Sequence, residues 1–316
     1  MTVTYSLEVS RTRLCGFSKL LIRWKASIYK TLWREVAIFI VFYYALSVLY
    51  RYILMENQKR IFEKVARYCS VFTDVIPLSV ILGFYVTLII SRWWSQFTSI
   101  PWPDRTATMI ASCVHGSDER SRTIRRTLGR YLLLMLLITF QAVSTSVKKR
   151  FPSLDHIQET GIMTAEERKA YEKINLCGSK WWIPAQWFAC LTLRARKEGR
   201  IKDSIQMDTL LLEMCTFRSF CGDMLNYDWV SIPLLYTQVV TLVTYTFFLT
   251  HLMSKQSLES DSNHVGEVDF YVPFFTLFQL FFYMGWLKVA EQLINPYGED
   301  DDDFELNWCL DRNIQV

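Results

Sequence analysis

Five consecutive carboxylates, Glu299-Asp300-Asp301-Asp302-Asp303, are the residues of this 316-residue sequence with the clearest capacity for chemistry. Side by side they repel one another unless a cation is near. They follow Pro296 and Gly298, which break a helix, so the backbone turns where the charge begins. A helix end offers free carbonyl oxygens and the turn adds carboxylates, a hard oxygen set that suits Ca2+. The spaced acidic pattern of an EF-hand loop, with its distal Glu, is absent. The competing reading is a solvated acidic linker, the usual fate of a like-charge block.

Other chemistry is thinly represented. His115, His156, His251 and His264 are scattered, with no H-E-x-x-H pattern, which argues against a metalloenzyme. The eight cysteines (Cys15, Cys69, Cys113, Cys177, Cys190, Cys215, Cys221, Cys309) form no C-x-x-C pair and are expected as free thiols. No titratable cluster lies within the apolar stretches, which argues against a membrane enzyme, and no inverted repeat suggests a secondary transporter. The N-terminal region carries Arg11, Arg13, Lys19, Arg23 and Lys25 and no cleavable apolar core.

The elements that must position the acidic run are largely apolar. The chain is 51% hydrophobic, 15% aromatic and 21% charged, the balance of a membrane protein with a large aqueous part. Four stretches approach the roughly 20 residues that cross a bilayer: about 36–55, 71–94, 229–253 and 271–290. A fifth, Tyr131 to Phe140, is too short to cross and reads as a buried core helix. Basic residues crowd the N-terminal region and the segment between the second and third spans, where Arg120, Arg122, Arg125, Arg126, Arg130, Lys148, Lys149 and Arg150 lie. The loop between the third and fourth is acidic (Glu259, Asp261, Glu267, Asp269). Positive-inside bias therefore places both termini and the long middle segment in the cytosol. That segment reads as helical, with Thr164-Ala165-Glu166-Glu167 as a capping box. The resulting partition is 1–35 a cytosolic N-terminal segment, 36–94 the first two membrane helices, 95–228 a cytosolic helical module, 229–290 the last two membrane helices, and 291–316 the acidic cytosolic end.

Pro77 and Pro233 are expected to kink the second and third spans. Ile76, Val80 and Phe84 are spaced by four and share one helical face. They either pack against another helix or, if several copies meet around an axis, stack as apolar rings that gate ions by dewetting.

The residues resemble the bestrophin family of calcium-activated anion channels along essentially the whole chain. The resemblance runs through Met1-Thr2-Val3-Thr4-Tyr5, Ser27-Ile28-Tyr29-Lys30, Ile76-Pro77-Leu78-Ser79, Leu82-Gly83-Phe84-Tyr85-Val86-Thr87, Arg92-Trp93-Trp94, Lys149-Arg150-Phe151-Pro152 and Tyr227-Asp228-Trp229-Val230-Ser231-Ile232-Pro233. The strongest block is Gly285-Trp286-Leu287-Lys288-Val289-Ala290-Glu291-Gln292-Leu293-Ile294-Asn295-Pro296 with the acidic run behind it. The resemblance implies an all-α membrane protein: four transmembrane helices plus a helical cytosolic module, assembled as a homopentamer around one central pore in the plasma membrane. It implies chloride, and with it bicarbonate, as the conducted anions, with the lipid bilayer and four further copies of the chain as partners and no nucleic acid. Ile76, Val80 and Phe84 match the pore neck, and Ile205 a cytosolic aperture. The Ca2+ clasp matches Asp300 and Asp303 by side chain, and Ser10, Gln292 and Asn295 by backbone carbonyl, with Glu299, Asp301 and Asp302 completing the acidic cluster. Two positions depart from the family pattern: Val80, where Phe is typical, and Gln141, where relatives carry Arg. The alternative is a non-conducting subunit that regulates or scaffolds other channels.

Overall fold

The computed structural model describes residues 3–12, 16–175, 178–258 and 272–315. Among these there are fourteen α-helices and no strand: α1 Ser6–Arg11, α2 Ile28–Val48, α3 Glu56–Val75, α4 Leu78–Thr98, α5 Asp104–Cys113, α6 Glu119–Val143, α7 Thr145–Arg150, α8 Leu154–Glu159, α9 Ala165–Lys173, α10 Ile183–Lys197, α11 Ser204–Trp229, α12 Leu234–Ser254, α13 Phe274–Leu293 and α14 Leu306–Gln315. The acidic loop expected between the last two spans, with Glu259, Asp261, Glu267 and Asp269, lies outside the described residues, as do Arg13, Cys15, Cys177 and His264. The other six cysteines are free thiols.

The chain divides into two compact units. The first comprises Val3–Trp93 and Ile232–Ile294. Its core is built from one stripe on each of four apolar helices: Leu32, Phe39 and Tyr43 of α2, Leu78, Leu82, Tyr85 and Ile89 of α4, Val240 and Phe247 of α12, and Leu280, Met284 and Leu287 of α13. Steps of three, four and seven residues put each set on one side of its helix. The opposite sides are equally apolar and exposed: Val41 and Phe42 on α2, Leu242 and Leu249 on α12, Phe275 and Phe282 on α13. A bundle that is oily outside as well as inside needs lipid or further copies around it.

Prolines begin these helices. Pro77 precedes α4, and Pro233 and Pro273 are the cap residues of α12 and α13. The expected kinks at Pro77 and Pro233 are therefore complete breaks. Proline has no N–H to give, and the first turn of a helix asks for none. The segment 71–94 is accordingly the end of one helix and the beginning of the next, with Val80 and Ile81 N–H groups closing the first turn on the Pro77 carbonyl at 3.1 and 3.2 Å.

The second unit holds Trp94–Ser231 and Asn295–Val316. Its axis is α6, where Leu128, Leu132, Leu134, Met135, Leu136, Leu137 and Phe140 are buried. The expectation of a buried core helix at 131–140 holds, but the helix is far longer than that apolar run, because the arginine-rich residues before it continue the same helix to the surface. By length and hydropathy three helical stretches could cross a membrane, 28–53, α4 and α6, or four if α11 and α12 count as one broken span. α6 differs in kind: 56% of its apolar window is buried, against 17% and 22% for the other two. A helix shielded on all sides by its own unit is a core helix. α13, with Gln279, Lys288 and Glu291, falls outside that set, although its bare phenylalanine face suits lipid.

Thr164 caps α9 as expected: its hydroxyl accepts from Glu167 N–H at 3.3 Å, and Glu167 Oε2 accepts from Thr164 N–H at 2.9 Å. Glu167 also takes two bonds from Arg130 of α6, at 2.5 and 2.6 Å. Burial alone would raise its pKa, but Arg130 and the Thr164 N–H outweigh burial and bring it down to about 2. A carboxylate held below its ordinary value near 4.5 stabilises the fold above that pH and loses the contribution as pH falls toward 2. Glu167→Gln should therefore cost about 2 kcal/mol at neutral pH, and the gap to the parent protein should close in melts run from pH 5 down to pH 2.

Candidate functional site: an acidic loop and an apolar helix face

The acidic loop begins where α13 ends. The last four carbonyls of any helix lack an intrahelical partner and carry the negative end of its dipole. The Gln292 carbonyl belongs to that set, and α13 has no basic residue in its last turn. In the second unit the loop is closed by Phe304 N–H donating to the Pro296 carbonyl at 2.8 Å. Tyr297, 1% exposed, donates from its hydroxyl to the Gln96 carbonyl at 2.9 Å, and Phe304 packs on Phe97 at 5.3 Å. Gln96 and Phe97 lie in the last turn of α4, so the loop is pinned to that helix end.

Within the loop, Asp303 Oδ2 accepts from Asp300 N–H at 2.7 Å. Gly298 makes room for it: a Cβ there would stand 2.6 Å from Asp303 Oδ2 and 3.7 Å from the Asn295 carbonyl oxygen. Two of the expected ligand oxygens thus border the same small gap. Burial first, and the neighbouring Asp300 and Asp302 carboxylates after it, push the Asp303 pKa up to about 6, against the pull of the Asp300 N–H. Asp302 is raised by burial and by Asp301 and Asp300. Glu299 is neutralised by Lys149 at 2.6 Å, whereas Asp303 has no ion-pair partner among the described residues. Among the described residues no three Cys, His, Asp or Glu side chains converge to hold a metal. The Asp303 carboxylate and the Asn295 carbonyl beside it are hard oxygen donors of the kind Ca2+ takes.

The remaining residues of the expected clasp belong to the first unit. Ser10 is exposed on α1, its hydroxyl donating to the Leu7 carbonyl at 3.0 Å. The Gln292 side chain donates to Thr31 Oγ1 at 3.1 Å, leaving its backbone carbonyl as its possible contribution.

On α4 the residues expected at a neck stand clear of the core. Leu78, Leu82, Tyr85 and Ile89 are buried, while Val80 is 53% and Phe84 71% exposed and Ile76 is half-buried at the break before the helix. An exposed apolar stripe that begins at a proline break is available to copies of itself.

A family model described as "Bestrophin, RFP-TM, chloride channel" matches residues 1–316. The chain belongs to the bestrophin family. It is 53% identical to human Bestrophin-3 and 50% identical to human Bestrophin-1, covering 100% of this chain and 48% and 54% of those proteins. The nematode Caenorhabditis elegans has a relative at 40%, Bestrophin homolog 24. The chain spans about half the length of the curated relatives it matches. Among solved structures, a bacterial bestrophin homologue from Klebsiella pneumoniae superposes with a TM-score of 0.66, covering 89% of this chain and 97% of the other at 15% identity. A second crystal structure of such a homologue gives 0.63. That likeness is one of fold. The family model's own description is of a chloride channel.

In this bestrophin the Ile205 side chain is 79% exposed in the first turn of α11. Gln141, at the other departure from the family pattern, donates to the Phe151 carbonyl at 2.6 Å and ties α6 to the end of α7. Tyr297 and Phe304 were not among the residues the sequence singled out, and Gly298 was read only as a helix breaker. The turn signal at Pro296 and Gly298 was visible, but the reach of Tyr297 back to Gln96 was not.

Proposed function

We propose that this chain forms the pore of a calcium-activated anion channel, five copies around one axis, conducting chloride and bicarbonate across the plasma membrane with both termini in the cytosol. Membership of the bestrophin family over the whole chain carries this reading, and the Asn295 and Asp303 oxygens bordering one gap support the calcium part. In it Asp303 and Asp300, with the Ser10, Gln292 and Asn295 carbonyls, form the clasp. Ile76, Val80 and Phe84 form the neck and Ile205 the lower aperture. Bound Ca2+ would supply the positive charge that lets these carboxylates sit together. The loop anchors Tyr297 and Phe304 grip the last turn of α4, and Val80 and Phe84 ride on the first turns of the same helix. A loop held in one position therefore biases where the neck side chains stand. Apart, they leave a pore wide enough to wet; together, they exclude water and the anions that need it.

The experiment is planar-bilayer current from the purified chain in symmetric chloride, with Ca2+ stepped from chelated to micromolar on one face. Calcium-dependent anion current that disappears in Asp303→Ala supports the proposal. Silence from demonstrably pentameric protein refutes conduction and turns the reading to a regulatory subunit.

Val80 is smaller than the phenylalanine typical of the family, so the ring it forms should close less tightly. Val80→Phe should lower the calcium-free current several-fold while leaving the calcium-activated current in place. Equal calcium-free leak in the two proteins would remove Val80 from the gate.

A further inference from the structure

A cavity of about 380 Å3 lies in the second unit between α5, α6 and α14, and its lining shares no residue with the acidic loop. Its lining includes the apolar side chains of Ile110, Leu132, Leu133 and Ile314. Its rim is cationic. Arg125 spends its Nη1 on two neutral acceptors, the Val114 and Gly116 carbonyls at 2.8 and 2.9 Å, and forms no ion pair among the described residues. Arg126, also on the rim, is exposed and forms no ion pair among the described residues. Arg130, by contrast, is already neutralised by Glu167.

One feature of the lining is not required by the packing of the chain. Gly129 sits in the middle of the 25-residue α6, where glycine costs up to about 1 kcal/mol against alanine. No positive φ requires it, and a Cβ there would meet nothing within 4 Å. Its missing side chain does one visible thing, which is to leave the cavity open. An occupant with an anionic end and an alkyl body suits both the space over Gly129 and the charge beside it.

We propose that the cavity between α5, α6 and α14 binds a small amphiphilic monocarboxylate, its carboxylate held by Arg126 and Arg125, and its alkyl chain laid over Gly129 against Ile110, Leu132 and Leu133. The proposal stands apart from channel function and is read by binding alone.

The test is calorimetric titration of octanoate into the full chain in phosphatidylcholine nanodiscs, with octanol as the uncharged comparison and empty nanodiscs subtracted. Saturable octanoate binding near one per chain is expected. Gly129→Leu, which fills the space, should abolish it, and melting temperature checks that this variant is folded. Arg126→Gln changes an exposed residue and should weaken octanoate at least about tenfold while leaving octanol unchanged. Octanoate binding that survives Gly129→Leu, or is no weaker in Arg126→Gln, overturns the proposal, as does uptake that never saturates.

Discussion

Gly298→Ala should cut calcium affinity roughly 10- to 100-fold while leaving the melting temperature of the calcium-free protein nearly unchanged. The added methyl would stand 2.6 Å from Asp303 Oδ2, closer than packed atoms approach. Relieving such an overlap typically costs about 1–3 kcal/mol. The side of the gap formed by Pro296 and Tyr297 cannot give way, because Tyr297 is locked to Gln96 and the Pro296 carbonyl to Phe304. Asp303 has only its single bond to Asp300 N–H to lose, so it is the group that moves. In the calcium-free chain this movement is nearly free of cost, since it takes a buried, repelled carboxylate toward water. When the cation must be bound, the displacement removes a charged ligand, and the clash appears as lost affinity at about tenfold per 1.4 kcal/mol. Calcium titration of the purified variant measures it, and an unchanged affinity would separate Gly298 and Asp303 from the clasp.

The acidic run was legible as a cation-seeking element because like charges in sequence repel whatever the fold does. The cradle that orients Asp303 was not, because it depends on Tyr297 meeting Gln96 across about two hundred residues of chain, and no local pattern encodes that meeting. The capping box at Thr164 was readable for the opposite reason: both of its hydrogen bonds lie within four residues. Pro77 and Pro233 show how one residue type supports two structures. A proline bends a helix whose flanks are held by neighbours and ends one whose flanks are not, and the sequence alone does not say which. The start of α6 was legible as well as its apolar half, since Asp118 and Glu119 open a basic-apolar stretch with helical spacing and the arginines from Arg120 to Arg130 are good helix formers. Val80 and Phe84 were identified as sharing a face; that the face is bare follows only from the burial of Leu78, Leu82 and Tyr85 on the other side.

Lys288→Met should lower the stability of the purified chain by about 3–5 kcal/mol, the usual cost of stranding one buried charge by removing its partner. Lys288 lies on α13 with its side chain 17% exposed, paired to Glu35 of α2 at 2.9 Å and to Glu291 at 2.7 Å. Glu291 is largely exposed and can turn to water when the lysine goes. Glu35 cannot: its side chain is 18% exposed, and its Oε2 is already buried without a hydrogen bond. The pair joins the two helices that meet at Gly285, where a Cβ would lie 2.6 Å from the Ile28 side chain, so the helices have no freedom to part and let water reach the carboxylate. The loss therefore belongs to Glu35 rather than to the missing ammonium. It follows that Glu35→Gln added to Lys288→Met should restore most of the stability, because an amide costs far less to bury than a carboxylate. Melts of the single and double variants in the same detergent decide between this account and a role for the lysine alkyl chain in packing. Recovery in the double variant places the cost on the stranded charge, and equal destabilisation of the two places it on packing.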